Sequence, residues 1–407
     1  MNETKKPAVR FKGFSDEWEQ QKFNDILEKY EDPVATPHDG YERLGVRSHA
    51  KGTFHSYVAP GAELETAQMH RVAANKMLFN ITFAWEHAVA ITDEMDAGKL
   101  VSHRFPQFSF NPEMSPKFFK YVISNEKFRY HLWLSSPGGA GRNRVLNIPE
   151  MLKYQTYLPE KSEQELLADW FIHLDELIEQ HQSKLEKLQS LKASMLEKMF
   201  PKDGADVPKI RFKGFTGAWE QVKIGDIAEI ITGGTPNTER QEYWEPKEIP
   251  WLSSGEIHKK RITFTNDKIS GLGFEHSSAR LVKPNSLLIA LAGQGKTRGT
   301  VAITRISLTT NQSIAAIYFK NTIVPDFALA NLEGRYNEIR MRSSGDGARG
   351  GLNKQLVSEI EIPYPFISEQ KKIAMFFEKL DHLITIHQQE LDKFQSIKKA
   401  LLEKMFV

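Results

Sequence analysis

From Ser162 to Met199 apolar side chains recur at steps that alternate between four and three. The series runs Leu167, Phe171, Leu174, Ile178, His181, Leu185, Leu188, Lys192, Met195 and Met199, with no proline or glycine in the segment. Such a period is a heptad seam and predicts a long helix that needs a partner. The seam returns near the other end of the chain as Ile373, Phe377, Leu380, Ile384, His387, Leu391, Phe394, Lys398, Leu401 and Met405. Pro159 and Pro365 precede the two helices, and Ser162 with Glu165 resembles a capping box. A helix of about 38 residues is roughly 57 Å long. A globule of about 160 residues between the helices has a radius of gyration of only about 15 Å. It cannot carry the chain back along a parallel pair, so antiparallel pairing is expected. His181 and His387, polar residues near the midpoints of apolar seams, would then meet and set the register. The plainer alternative is that they reach solvent or a partner helix.

The regions between the seams read as short strands punctuated by turns. In the second half, strands are expected at 227–232, 249–252, 281–291, 300–306 and 313–319, with a helix over 327–342. In the first half they are expected at 44–47, 76–83, 89–92 and 107–110, with a helix over 117–134. Each head is therefore predicted to be mixed α/β (α+β) with a curved sheet. The expected order is a first head over 1–157, a first helix over 158–200, a second head over 201–361 and a second helix over 362–407.

The two halves repeat one another. Arg10 to Phe14 return as Arg211 to Phe215, Trp18-Glu19-Gln20 as Trp219-Glu220-Gln221, and Ser162-Glu163-Gln164 as Ser368-Glu369-Gln370. Asp175, Ile178 and His181 return as Asp381, Ile384 and His387. The interiors keep only echoes, such as Asn75 against Asn285, Ala90-Ile91-Thr92 against Ala302-Ile303-Thr304, and Leu146-Asn147 against Leu352-Asn353. Like edges around unlike interiors suit one scaffold that must recognise two different things, although an old duplication with neutral drift would leave a similar record.

Composition narrows the chemistry. The 407 residues carry 54 Lys and Arg against 52 Asp and Glu, a net charge of +2, so a nucleic-acid site must be a local patch. The absence of cysteine removes disulfides, thiolate zinc and a cysteine nucleophile, and fits a cytoplasmic compartment. The first nine residues have no apolar signal core, and no apolar run is long enough to span a bilayer.

Loops in both heads have the composition of base-reading surfaces, because Arg and Lys fork onto guanine, Asn and Gln onto adenine, and Ser and Thr onto either. The first head offers Arg43, Arg47, Ser48, His49, Lys51, His55, Trp85, Glu86 and His87. The second offers Thr232, Gly233, Gly234, Thr235, Ser253, Ser254, Lys259, Lys260, Arg261, Gln294, Lys296, Thr297 and Arg298. Glycine-rich stretches with Arg142, Arg144 and Arg349 form a third candidate surface. Each residue alone is also what a solvated loop contains. Ala290, Gly295, Lys296 and Thr297 imitate a relaxed phosphate-binding loop, but Thr300 to Thr304 then read as a strand where that loop needs a helix. No zinc-spaced histidines, nucleophile elbow or dinucleotide fingerprint stands out, so no metal and no catalytic residue is expected.

Taken together the chain resembles the specificity subunit of type I restriction–modification systems over essentially its whole length. The motifs that carry the likeness are Ile231 to Pro236, Ile249 to Ile257, Thr309 to Ser313 and the two Ser-Glu-Gln helix starts, with Arg43 to Ser48, Leu78 to Asn80 and Phe83 to Glu86 in the first head. The resemblance implies two target-recognition domains, each reading half of a split, asymmetric site in double-stranded DNA. It implies helices that fix the gap and dock two modification (methyltransferase) subunits, with restriction subunits joining them. S-adenosylmethionine, ATP and Mg belong to those partners, and this chain binds no cofactor. A stand-alone regulator of a bipartite operator is the alternative, and a coiled-coil scaffold with no DNA role a third reading.

Overall fold

The computed structural model describes residues 5–63, 68–138, 144–202, 204–293, 296–342 and 351–407. The chain forms two compact units, Met1–Gln180 with Glu390–Val407, and His181–Gln389. These boundaries cut through both long helices, Lys161–Lys198 and Ile367–Met405. Each unit therefore holds one head, the start of one long helix and the end of the other.

In the first unit Phe171 lies 5.8 Å from Phe406 (ring centroids), and Asp175 is bonded to Lys398. In the second unit Phe200 stacks on Phe377 at 6.0 Å, and Asp381 bonds to Lys192 at 2.5 Å. The start of each helix thus meets the end of its partner, which makes the pairing antiparallel. Every seam position is buried or half-buried, as the heptad period requires. The capping box is not formed. Ser162 sits inside the first turn, and the carbonyl of Glu160 takes the N–H groups of Glu163 and Gln164 at 3.1 and 3.0 Å.

Each head stacks two sheets. The inner sheet of the first unit runs in the order Leu27–Tyr30, Gln107–Phe110, Met77–Phe79, Val89–Ile91. That of the second runs Glu229–Thr232, Ile314–Tyr318, Leu287–Ala290, Val301–Thr304 and then Arg261–Ile262. One face of the inner sheet packs on the helices, through Met77, Phe79 and Val89 in one unit and Leu287, Ile289 and Ile303 in the other. The opposite face, with Leu78 and Ala90 or with Leu288, Ala290 and Ala302, packs on an outer sheet. Burial on both faces explains why the strands Met77–Phe79, Val89–Ile91, Leu287–Ala290, Val301–Thr304 and Ile314–Tyr318 read as nearly unbroken apolar runs instead of alternating.

The outer sheets differ. In the first unit it has five strands, ordered Pro33–Val34, Met69–Arg71, Leu100–Ser102, Tyr41–Val46, Thr53–Val58. In the second it has three, Asp267–Ile269, Ile249–Leu252 and Thr309–Thr310. The helices expected over 117–134 and 327–342 are each two helices, Pro116–Val122 with Glu126–Leu134 and Pro325–Gly334 with Tyr336–Met341. In the first case Asn125 interrupts the run by capping the Phe128 N–H at 2.7 Å.

The repeated sequence motifs are the fasteners of each unit. The Arg10 guanidinium forks onto the buried carboxylate of Glu163 at 2.7 Å on both arms, and Arg211 onto Glu369 at 2.7 and 2.8 Å. Gln164 donates to the Pro159 carbonyl and accepts from the Ser115 N–H, both at 2.9 Å. Gln370 repeats this with Pro365 at 2.9 Å and Val324 at 2.8 Å. The interior echoes are also structural. Asn75 and Asn285 both take a left-handed backbone entering the equivalent hairpin, with φ of 59° and 62°. Asn147 and Asn353 both cap a short helix through the side chain.

Candidate nucleic-acid interface

In the first unit the outer sheet ends in a hairpin, Tyr41–Val46 against Thr53–Val58, with Thr53–Val58 as the sheet's edge. Its turn is fastened to the segment 84–87. Ser48 Oγ donates to the Glu86 carboxylate at 2.9 Å, the His49 N–H to Glu86 O at 2.9 Å, and the Ala50 N–H to His87 O at 2.8 Å. These bonds bring together Arg47, Ser48, His49, Lys51, Trp85 and Glu86 from two separate stretches of sequence. Arg43 lies farther down the same hairpin, exposed.

Two predicted residues of this head serve its frame. His87 is 3% exposed, and its Nε2 bonds to the Ile123 carbonyl at 2.6 Å. Burial pushes its pKa below the ordinary histidine value, against the opposing pull of that carbonyl. His55 Nε2 lies 2.7 Å from the buried carboxylate of Asp96, which also takes the Thr53 hydroxyl at 2.9 Å. That carboxylate fastens the hairpin to the turn at 93–98. Arg144 stacks over the exposed Trp133 ring at 4.7 Å, and Arg142 lies outside the described residues.

In the second unit four segments converge at one end of the inner sheet. Thr232 pairs with Ala315 and Ala290 with Ile314, so the turn after Thr232, the turn before Ile314 and the 291–300 connection share that end. The parallel pairing of Leu252 with Thr310 brings Ser253 and Ser254 alongside. Thr235 Oγ1 donates to Gln312 at 2.7 Å, and the Trp251 indole to Gly234 O at 3.0 Å. The two glycines are steric necessities. A Cβ on Gly233 would stand 1.9 Å from the Thr310 carbonyl oxygen, and one on Gly234 2.1 Å from Ser278 Oγ. Lys296, Thr297 and Arg298 lie in the same connection, while Gln294 falls outside the described residues, as does Arg349. The imitation phosphate loop is followed by the strand Val301–Thr304 and so lacks the helix that would cradle a phosphate.

Three predicted cations of this unit are occupied elsewhere. Arg261 bonds to Asp381 at 2.7 Å and to Asp326 at 3.1 Å, and Lys260 to Glu333 at 2.5 Å. Lys259 pairs with Glu256 at 2.5 Å. Arg261 pairs with Ile303, at the sheet end opposite the convergent loops. Burial would raise the Asp381 carboxyl, but the charge and hydrogen bond of Lys192, with Lys260 and Arg261, hold it below the usual carboxylate value. By contrast Arg43, Arg47 and Lys51 have no ion pair among the described residues.

On the helices, the His181 and His387 Nδ1 atoms stand 3.2 Å apart. Among the described residues no group of three or more His, Cys, Asp or Glu could hold a metal, and no helix is long and apolar enough to cross a membrane. Sequence reasoning passed over Gly45, Phe54 and Gln312. A glycine inside a strand is the one signal that marked the first, since it often records a close approach.

The fold is one scaffold used twice under two unlike outer layers. Residues 217–395 match the family model described as type I restriction modification DNA specificity domain. The specificity subunit of type I restriction enzyme MjaIX from Methanocaldococcus jannaschii is 28% identical over 193 residues, 46% of this chain and 44% of that protein. The match thus spans less than half of that relative's length. A putative MjaX specificity subunit of the same organism is 22% identical, over 95% of this chain and 92% of its own. The crystal structure of a type I restriction–modification S subunit from M. genitalium shares the fold, with a TM-score of 0.64 at 16% identity over 99% of both chains. The chain thus carries a match to the type I restriction modification DNA specificity domain over residues 217–395 and is similar to a specificity subunit over nearly its whole length.

Proposed function

We propose that this chain supplies the DNA sequence specificity of a type I restriction–modification complex and does no chemistry itself. Each unit reads one half of a bipartite, asymmetric site in duplex DNA. The long helices set the spacer and dock two modification subunits, to which restriction subunits add. The observation that carries this reading is the division of each head into a shared inner sheet and an unlike outer sheet. The scaffold is repeated down to single caps, while the layer farthest from the helices is rebuilt. In the first unit its hairpin exposes Arg43, Arg47 and Lys51 with no ion pair among the described residues. In the second its loops bring hydroxyl and amide groups such as Ser253, Ser254 and Gln312 alongside Thr235. His181 and His387 fit a register-setting pair in this scheme.

The test is to express the chain with its modification subunits and map methylated adenines across a genome, with and without it. A split motif that appears only with the chain is the expected result. Methylation without sequence preference, or a motif unchanged when the chain is omitted, contradicts the proposal.

A further inference from the structure

The hairpin Tyr41–Val58 carries features that its place in the sheet does not explain. Alternation along the first strand puts Leu44 and Val46 toward the inner sheet, where Leu44 is buried. Arg43, Gly45 and Arg47 fall on the opposite face. Across from them, Phe54 is 41% exposed although it is a large apolar residue. Its ring lies against Gly45 so closely that a Cβ there would sit 2.3 Å from it. The Arg47 guanidinium covers the ring at 5.6 Å from the centroid and donates through Nη1 to the Thr53 carbonyl. Arg47 is thereby aimed by a ring and a carbonyl while its other donors stay open. The turn beyond it is built from backbone that side-chain-bearing residues seldom adopt, with φ of 63° at His49 and 49° at Ala50. The bonds to Glu86 O and His87 O hold it there. Unusual backbone of this kind concentrates where a loop has a task.

The acids beside the hairpin do not neutralise this face. Glu42 pairs with Lys99, Asp96 takes Thr53 and His55 from the inner-sheet side, and Glu86 takes the Ser48 hydroxyl. The occupant must therefore bring negative charge and a flat, acceptor-rich edge. Duplex DNA does both, and its major groove admits a two-stranded ribbon.

We infer that the first unit reads DNA by laying the hairpin Tyr41–Val58 into the major groove, with Arg47 as a guanine-reading fork whose direction is set by Phe54 and Gly45. Gly45 and Phe54 are positioning residues, while Lys51, at the turn, contacts phosphate. The second unit has no such hairpin in its three-stranded outer sheet and reads through its convergent loops instead. This inference rests on the function proposed above.

The experiment uses the full chain in complex with its modification subunits and scores methylation on duplexes randomised at each target position. Arg47→Lys keeps the charge and loses the fork. It should relax preference for guanine about tenfold or more at one position of one half-site. Phe54→Leu and Gly45→Ala should relax the same position, with the other half-site unchanged as an internal control. Lys51→Ala should weaken binding to all sequences alike and lower the salt dependence by about one phosphate contact. A complex that stays fully specific with Arg47→Lys and Phe54→Leu overturns the inference and leaves the function intact. A wild-type complex with no sequence preference overturns both.

Discussion

The two seam histidines occupy repeat-equivalent positions and face each other through Nδ1. Only one of two such nitrogens can carry the proton of their hydrogen bond, so the contact excludes two charged rings. Burial, then the proximity of His181 and of Lys184, pushes the His387 pKa below the ordinary value. The folded chain thus resists charging His387 more than the unfolded chain does. Its contribution is complete above the ordinary histidine range, near pH 6.5, and is lost as pH falls through and below it. The thermal midpoint of the wild-type chain should fall more steeply between about pH 7 and pH 5 than that of His387→Leu. Parallel slopes would show that the contact has no energetic weight. The histidines were legible as a pair because they broke an apolar period at matching places. Arg47 was legible only as one cation among many, since nothing in a linear sequence says which cations find carboxylates. Lys260 and Arg261 looked no different from Arg43, yet partners from remote parts of the chain, Glu333, Asp326 and Asp381, claim them.

At the scale of elements, Asp381 joins the strand Arg261–Ile262 to the second long helix, while Asp326 and Glu333 tie Arg261 and Lys260 to the helix Pro325–Gly334. Lys192 is 5% exposed and bonds to Asp381 and Glu333 at 2.5 and 2.6 Å. The equivalent acid in the first unit, Asp175, is a quarter exposed and takes the Tyr121 hydroxyl at 3.1 Å beside Lys398. Losing one member of a buried pair strands the other charge, whereas a partly solvated pair is screened. Asp381→Asn should therefore cost about 3 kcal/mol, and Asp175→Asn about 1 kcal/mol or less. Denaturation followed by amide exchange in each unit separates the two, and equal losses would contradict the contrast. The long helices were readable because a heptad needs only local spacing. The central inner strands, such as Met77–Phe79 and Leu287–Ala290, were readable because burial on both faces leaves solid apolar runs, whereas Leu27–Tyr30 at the edge was not. The hairpin strand Thr53–Val58 was missed because it lies at the edge of its sheet and its period is hidden by Phe54, His55 and Tyr57, three large residues of mixed character.

For the molecule as a whole, the antiparallel seam links helix length to target spacing under the proposed function. Removing one heptad from each helix keeps the seam in phase. It shortens the pair by about 10 Å, equivalent to roughly three base pairs. A complex carrying both deletions should methylate sites with a correspondingly shorter gap and unchanged half-sites. Full activity on the original spacing would contradict a ruling role for the helices. Repetition at this scale was visible in the sequence because the fasteners repeat residue for residue. What each outer sheet would look like was not, since those segments share almost nothing between the halves.

The clasp that Arg10 makes with Glu163 and Arg211 makes with Glu369 has a consequence for how such a chain can change over time. Both clasps use the same chemistry at the same joint, so a head cut out between its arginine motif and the Ser-Glu-Gln start of the helix that follows it, and replaced by another of the same kind, meets matching ends. Under the proposed function, exchange of such a head would bring a new specificity without a compensating change in the rods that receive it.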